Sequence, residues 1–132
     1  MLEIVNVFKA LSDSTRLRIL LLLQYGELCV CEVEEVLGMK QSRISRHLNI
    51  LRNAGLAEAR YVGSWVFYSL ANPETNPYHR QIIDTLVKWA QDSDEPFIDK
   101  EKLKACIQKR GQEGECPVPE INNELLLTFG AS

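Results

Sequence analysis

The stretch Val30-Cys-Glu-Val-Glu-Glu-Val-Leu37, followed by Gly38-Met-Lys-Gln41 and Ser42-Arg-Ile-Ser-Arg-His-Leu-Asn-Ile-Leu-Arg-Asn-Ala54, decides the fold. Val30, Val33 and Leu37 recur at helical spacing, and Gly38 is placed to stop the helix they define. Ile44, Leu48 and Leu51 form a second stripe of the same period, on a helix from Ser42 to Ala54. Gly55 suits the left-handed residue that follows such a helix, and Leu56 supplies the apolar contact that accompanies it. Two helices of this length across a tight turn containing glycine predict a helix-turn-helix.

The flanks extend the pattern. Ile4, Phe8 and Leu11 predict a short amphipathic helix over residues 3–11. Ser12-Asp13-Ser14 offers N-cap side chains for a helix from Thr15 to about Tyr25, with Gly26 expected to end it in the left-handed conformation. Beyond the helix-turn-helix, Ala57 to Val62 and Ser64 to Leu70 are rich in β-branched and aromatic residues, and Gly63-Ser64 suits a type II′ turn. A hairpin in that position is a wing. The loop Asn72 to Pro77 leads into a long helix, Tyr78 to about Gln91. A last helix is expected from Lys100 to Arg110, capped by Asp99 and stopped by Gly111, ahead of a flexible tail punctuated by proline and glycine. The expected class is mainly α with a β-hairpin wing. Residues 1–92 form a winged helix-turn-helix domain, and residues 93–132 a C-terminal extension.

At 132 residues the chain is expected to be one domain, small enough to gain from dimerisation. No apolar run approaches the roughly 20 residues that span a bilayer, and the amino terminus has no basic n-region, so a cytoplasmic protein is expected. Four cysteines, at 29, 31, 106 and 116, are expected to stay reduced there; Cys29 and Cys31 stand too close for a comfortable structural disulfide. The formal charge is −3, but its distribution is uneven. Residues 40 to 60 hold Lys40, Arg43, Arg46, Arg52 and Arg60 against Glu58 alone, a local +4. Residues 92 to 132 hold nine acids against five bases. A basic patch on an acidic body can bind phosphates with strong salt sensitivity.

Residues at the amino end of a recognition helix normally reach base edges, so Gln41, Ser42, Arg43, Ser45 and Arg46 form the reading set for double-stranded DNA. Arginine pairs bidentately with guanine and glutamine with adenine. Lys40 and Arg60 suit phosphate contacts. His47 lies beside the buried stripe, where a packed, hydrogen-bonded histidine competes with a DNA contact. The bland alternative for the whole face is a solvated helix surface.

Cys29 and Cys31 open the helix that braces the reading helix. Two residues apart on a regular helix, their side chains would point in nearly opposite directions, Cys29 inward and Cys31 away. One ion could then hold both sulfurs only if the helix start unwound. A helix amino terminus also lowers cysteine pKa, which favours the thiolate that soft metals need. The plainer alternative is a pair of small buried hydrophobes.

Glu27-Leu-Cys-Val-Cys-Glu32, Ser45-Arg-His-Leu48 and Leu51-Arg-Asn-Ala-Gly-Leu56 together resemble the ArsR/SmtB family of metal-responsive repressors, over about residues 3–92. The resemblance implies a winged-helix homodimer, joined by its first and last family helices, that leaves its operator when metal binds. It would place Leu2, Val5, Phe8, Ile82, Leu86 and Trp89 at the dimer interface. The cysteine motif is similar to that of the arsenic-responsive branch, whose third cysteine falls here at Glu34, a hard ligand for a soft ion. Cys106 and Cys116 are the thiols left to complete a three-sulfur site. Cys106 shares a stripe with Leu103 and Ile107 and reads as a core cysteine, whereas Cys116 lies in a Gly- and Pro-rich segment. Cadmium- and lead-responsive members use thiols on an amino-terminal arm, and no cysteine precedes residue 29. The zinc-type pair of Asp and His ligands on the last helix is missing; only His79 stands there.

The implied function is a repressor of an arsenic-resistance operon, with arsenite or antimonite as inducer and no permanently bound cofactor. The alternatives are a cadmium/lead sensor of the same fold and a thiol redox switch. A thiol enzyme is disfavoured by the missing βαβ pattern, Cys-x-x-Cys and phosphate-cradling loop.

Overall fold

The computed structural model describes residues 1–93 and 99–108. They form, in order, α1 (Leu2–Leu11), α2 (Ser14–Leu23), β1 (Leu28–Cys29), α3 (Val30–Leu37), α4 (Gln41–Asn53), β2 (Ala57–Val62), β3 (Trp65–Leu70), α5 (Pro77–Asp92) and α6 (Asp99–Gln108). The expected Gly111 stop, Arg110, Cys116 and the tail lie outside the described residues.

The helix-turn-helix is α3 and α4. Gly38 ends α3 at φ 65, its N–H donating to the Glu34 carbonyl at 2.9 Å. At the end of α4 the Gly55 N–H bonds the Arg52 carbonyl at 3.0 Å, and the Leu56 N–H bonds the Leu51 carbonyl at 2.9 Å. This is the Schellman pattern, which needs the left-handed φ of 79 found at Gly55. A Cβ there would also stand 3.0 Å from the His79 imidazole, so α5 packs where only glycine leaves room. Ile44, Leu48 and Leu51 are fully buried, in the same core cluster as Ile19, Leu22 and Val33.

Val62 pairs with Trp65, which leaves Gly63-Ser64 as a two-residue turn. Gly63 has φ 59 while Ser64, like every non-glycine among the described residues, has no positive φ, the type II′ arrangement. The wing has a third strand that the sequence reading missed. β1 pairs antiparallel with β3, Leu28 opposite Tyr68 and Cys29 opposite Phe67, giving the order β1-β3-β2.

That strand explains a correction in α2. Asp13 caps the helix as expected, accepting the Arg16 N–H at 3.0 Å. The helix ends at Leu23 rather than near Tyr25, and Gly26, at φ 145, is not a left-handed cap. The chain has to open out within a few residues to enter β1. In α1, Val7 and Ala10 are buried while Ile4 and Phe8 of the expected stripe are exposed.

The described part of the extension, α6, joins this core. α6 packs against α2 and α3 and places Leu103 in the same buried cluster. Asp99, expected as a cap, is instead a helical residue whose carboxylate accepts from Arg18 Nε and Nη2, each at 2.8 Å. A buried carboxylate gains more from a charged fork than from neutral amides. No helix among the described residues is long and apolar enough to cross a membrane.

Arg18→Ala should leave the Asp99 carboxylate buried without its cation, at a cost of about 1–3 kcal/mol in urea unfolding. Amide exchange should rise more in α6 than in α4; equal change in both would show that the pair does not hold α6 down.

Candidate thiol site and nucleic-acid interface

Cys29 ends β1 and is also the N-cap of α3, with extended backbone at φ −80, ψ 160. Cys31 is the second residue of the helix. Because Cys29 is not helical, its side chain is free of the helical rotation that would turn the two sulfurs apart. A disulfide joins them, with the Cα atoms 5.4 Å apart. Three expectations are corrected. The pair is oxidised rather than reduced, it is not too close to bond, and α3 need not unwind to bring both sulfurs together, since it is intact from Val30. Cys29 is buried and Cys31 exposed, as the inward/outward reading required. The Glu32 carboxylate, at the N3 position, accepts the Cys29 N–H at 3.0 Å and is itself buried. Glu at N3 reaching back to the cap residue is half of a capping box; the Cys-x-x-Glu spacing is the signal that could have found it.

Glu34 lies half-buried on α3. Cys106 is a buried free thiol, as its stripe predicted, and donates to Glu35 Oε2 at 3.2 Å. Glu35 follows Cys31 by one helical turn on the same flank of α3. The structure thus brings Cys106 to α3, but among the described residues no three His, Cys, Asp or Glu side chains are gathered tightly enough to hold an ion.

On α4, Lys40 is the N-cap residue, and Lys40, Gln41, Ser42, Arg43 and Arg46 are exposed. Ser45 is half-buried. His47 is turned the other way. Arg16 Nη1 lies 3.2 Å from its Nδ1, and since arginine can only donate, Nδ1 accepts. The same guanidinium donates to the Ala10 carbonyl at 2.7 Å and the Lys9 carbonyl at 3.2 Å. His47 therefore ties α4 to the corner between α1 and α2.

Arg60, on β2, has two partners the sequence did not suggest. Its Nη2 donates to Glu27 Oε1 at 2.6 Å, with Nε 3.1 Å from both carboxylate oxygens. Its guanidinium also lies over the Phe67 ring, 5.4 Å from the centroid. Arg52 Nη1 donates to the Tyr61 hydroxyl at 3.0 Å, tying the end of α4 to the wing.

Apart from Tyr61, every exposed large hydrophobic among the described residues belongs to α1, its cap residue Met1, or α5. Leu2, Val5, Phe8 and Trp89 are exposed, and Ile82 and Leu86 half-buried. His79 is buried at the start of α5, its Nε2 3.6 Å from the Glu3 carboxylate of α1.

Residues 13–59 match the model of the bacterial regulatory protein, arsR family. The chain is 38% identical over 113 residues to the arsenic resistance transcriptional regulator ArsR1 of Pseudomonas putida, covering 85% of this chain and 83% of that protein. The chain belongs to the arsR family. It is also 41% identical over 95 residues to the arsenical resistance operon repressor of Escherichia coli, covering 71% of this chain and 80% of that one. Among solved structures, the homodimeric winged helix-turn-helix DNA-binding domain Mb0332 of Mycobacterium bovis, described as a possible ArsR-family regulator, matches with a TM-score of 0.58 at 31% identity, over 70% of this chain and 82% of that chain. An arsR-family chain is a DNA-binding transcription regulator, and α3–α4 with the β2–β3 wing is its winged helix-turn-helix.

Burial lowers the pKa of His47 from its ordinary 6.5, against the raising influence of Asp13. The folded chain then binds fewer protons than the unfolded chain as pH falls below that value. His47 costs nothing above it, and stability is lost as the pH drops toward the folded-state pKa. His47→Gln, which can still accept from Arg16, should flatten the stability profile as the pH falls below 6.5. An unchanged slope in urea unfolding would show that His47 does not titrate in that window.

Proposed function

We propose that this arsR-family protein is a homodimeric repressor of an arsenic-resistance operon, released from its operator when As(III) or Sb(III) binds the thiolates of Cys29 and Cys31. One observation carries the reading: the two sulfurs converge at the start of α3, the helix packed on the DNA-reading α4. The arsenic resistance regulators to which the chain is similar supply the choice of ion.

The first turn of α3 stabilises thiolate over thiol at Cys31, and a soft trivalent ion takes soft sulfur donors. The third donor is a thiolate from the extension, Cys106 or Cys116, in place of a third cysteine at Glu34. Cys106 is already docked beside α3. Binding acts through differential affinity: the ion favours the conformation of the α3 start that holds DNA less well. Gln41, Ser42, Arg43, Ser45 and Arg46 read bases, and Lys40 and Arg60 hold phosphates. His47 supports that face from behind through Arg16. Residues 1–92 carry DNA binding and dimerisation; the extension braces α3 through α6. The protein is cytoplasmic and works without a resident cofactor or catalysis.

A second reading is favoured by the Cys29–Cys31 disulfide itself: a thiol redox switch in which closing the bond, rather than binding an ion, releases DNA. Titration under a non-thiol reductant separates the two. Cys29→Ser or Cys31→Ser should keep operator affinity within about twofold while arsenite no longer releases DNA, since serine lacks the soft, deprotonable atom. A double variant that still leaves DNA at the wild-type arsenite concentration would sink the arsenite reading. Release by oxidant alone would select the redox one.

The dimer uses the apolar side chains left exposed on α1 and α5. Phe8→Glu combined with Trp89→Glu should sediment as a monomer at micromolar concentration and lose operator binding. A wild-type protein that is itself monomeric, on and off DNA, would remove this part of the proposal.

A further inference from the structure

A row of three residues crosses the sheet from the thiol site to the wing. Cys29 on β1 stands opposite Phe67 on β3, and Phe67 stands opposite Arg60 on β2. Directly opposed residues project from the same face of a sheet. Cys29 and Phe67 are buried, while Arg60 lies over the Phe67 ring with its guanidinium partly in water. From there Arg60 reaches back across the sheet to Glu27, two residues before Cys29, at 2.6 Å between Nη2 and Oε1. The wing arginine and the sensor cysteine are therefore neighbours through one aromatic ring and one ion pair.

A guanidinium engages a phosphate through the same planar fork of N–H donors with which it engages a carboxylate. Glu27 takes the Nε and Nη2 edge of Arg60; a phosphate gains that edge only by displacing the carboxylate, and one approaching the remaining Nη1 edge meets the carboxylate's negative charge close by. We propose that Glu27 is an internal competitor of the DNA phosphate for Arg60. It holds the wing arginine in the conformation where the Cys29 and Cys31 sulfurs are drawn together, and yields it to the duplex in the conformation where they are apart.

The strength of the pair suits this role. Arg60 is more than half exposed while the Glu27 carboxylate is mostly covered, so water screens the pair from the arginine side, the side from which a duplex would draw the guanidinium away. By linkage, whatever favours the pair weakens DNA binding, and DNA in turn disfavours the pair. Glu27 reports the state of the sulfurs because β1, which begins one residue later, holds Cys29 against Phe67. The inference rests on the reading that Arg60 faces a phosphate; it does not depend on which soft ion or oxidant closes the sulfur pair.

Phosphate contacts act on any sequence, so the probe is a random-sequence DNA duplex titrated over a range of salt concentrations. Glu27→Gln should bind about two- to fivefold more tightly, the scale of releasing an exposed pair. Its log–log salt dependence should steepen by about one. Arg60→Gln should weaken binding and shallow that slope by about one, and the double variant should match Arg60→Gln. The gain from Glu27→Gln should be larger with the Cys29–Cys31 bond closed than after its reduction by a phosphine. Equal tightening by Glu27→Gln in the presence and absence of Arg60 would reveal a general charge effect and overturn the competition. Equal gain in both thiol states would overturn the link to the sulfurs. Failure of arsenite to release the wild-type protein would end the inducer reading and leave these outcomes standing.

Discussion

Cys29 has to be two things at once, the last residue of a strand and the cap of a helix. Its backbone at φ −80, ψ 160 lets the β1 ladder to Phe67 end and α3 begin without an intervening loop. The buried Glu32 carboxylate secures the junction by accepting the Cys29 N–H. An extended N-cap is ordinary helix chemistry. Here it also removes the rotation that would separate an i, i+2 pair on a helix, so the two sulfurs meet beside an intact first turn. The β3 edge, the start of α3 and the two sulfurs take their relative positions from that one residue.

Rigidity around the junction comes from long-range contacts. Arg16 gathers the end of α1 and the middle of α4 by donating to Lys9, Ala10 and His47. Arg18 holds α6 through Asp99, and α6 in turn lies along α3 and presents the Cys106 thiol to Glu35. Helix α3 is thus enclosed by β1 at its start, α4 on one side and α6 on another. A perturbation at the sulfurs meets packed neighbours, and packed neighbours pass on displacement because they lack voids that would absorb it.

The local parts of this arrangement were legible because they are written in local spacing. Ile44, Leu48 and Leu51, the Gly38 and Gly55 stops, and the Gly63-Ser64 turn each follow from periodicity or from a left-handed φ. β1 was not legible: two residues carry no period, and their strand character comes from the edge of β3. Asp99 was read as a cap because its partner, Arg18, lies 81 residues away. Arg60 was read only as a phosphate contact for the same reason, since Glu27 is distant in sequence. The sulfurs were misjudged because Cys29 was placed on a regular helix, when one extended residue changes where its side chain points.

An acidic chain can meet DNA because the fold sorts its cations. Arg18 is paired with Asp99, Arg80 with Asp84 and Lys104 with Glu101, all away from the reading helix. Arg16 is turned into the α1–α2 corner by two carbonyls and His47. Among the described residues, no carboxylate stands within salt-bridge distance of Lys40, Arg43 or Arg46, so their charge projects from α4 into solvent undiminished. The net charge of −3 therefore describes the body and not the face, and the body's excess of carboxylates repels a duplex presented in any other orientation. Arg60 stands between the two classes, paired and yet exposed. That intermediate status is what a residue needs if its availability to DNA is to depend on the state of a neighbouring site.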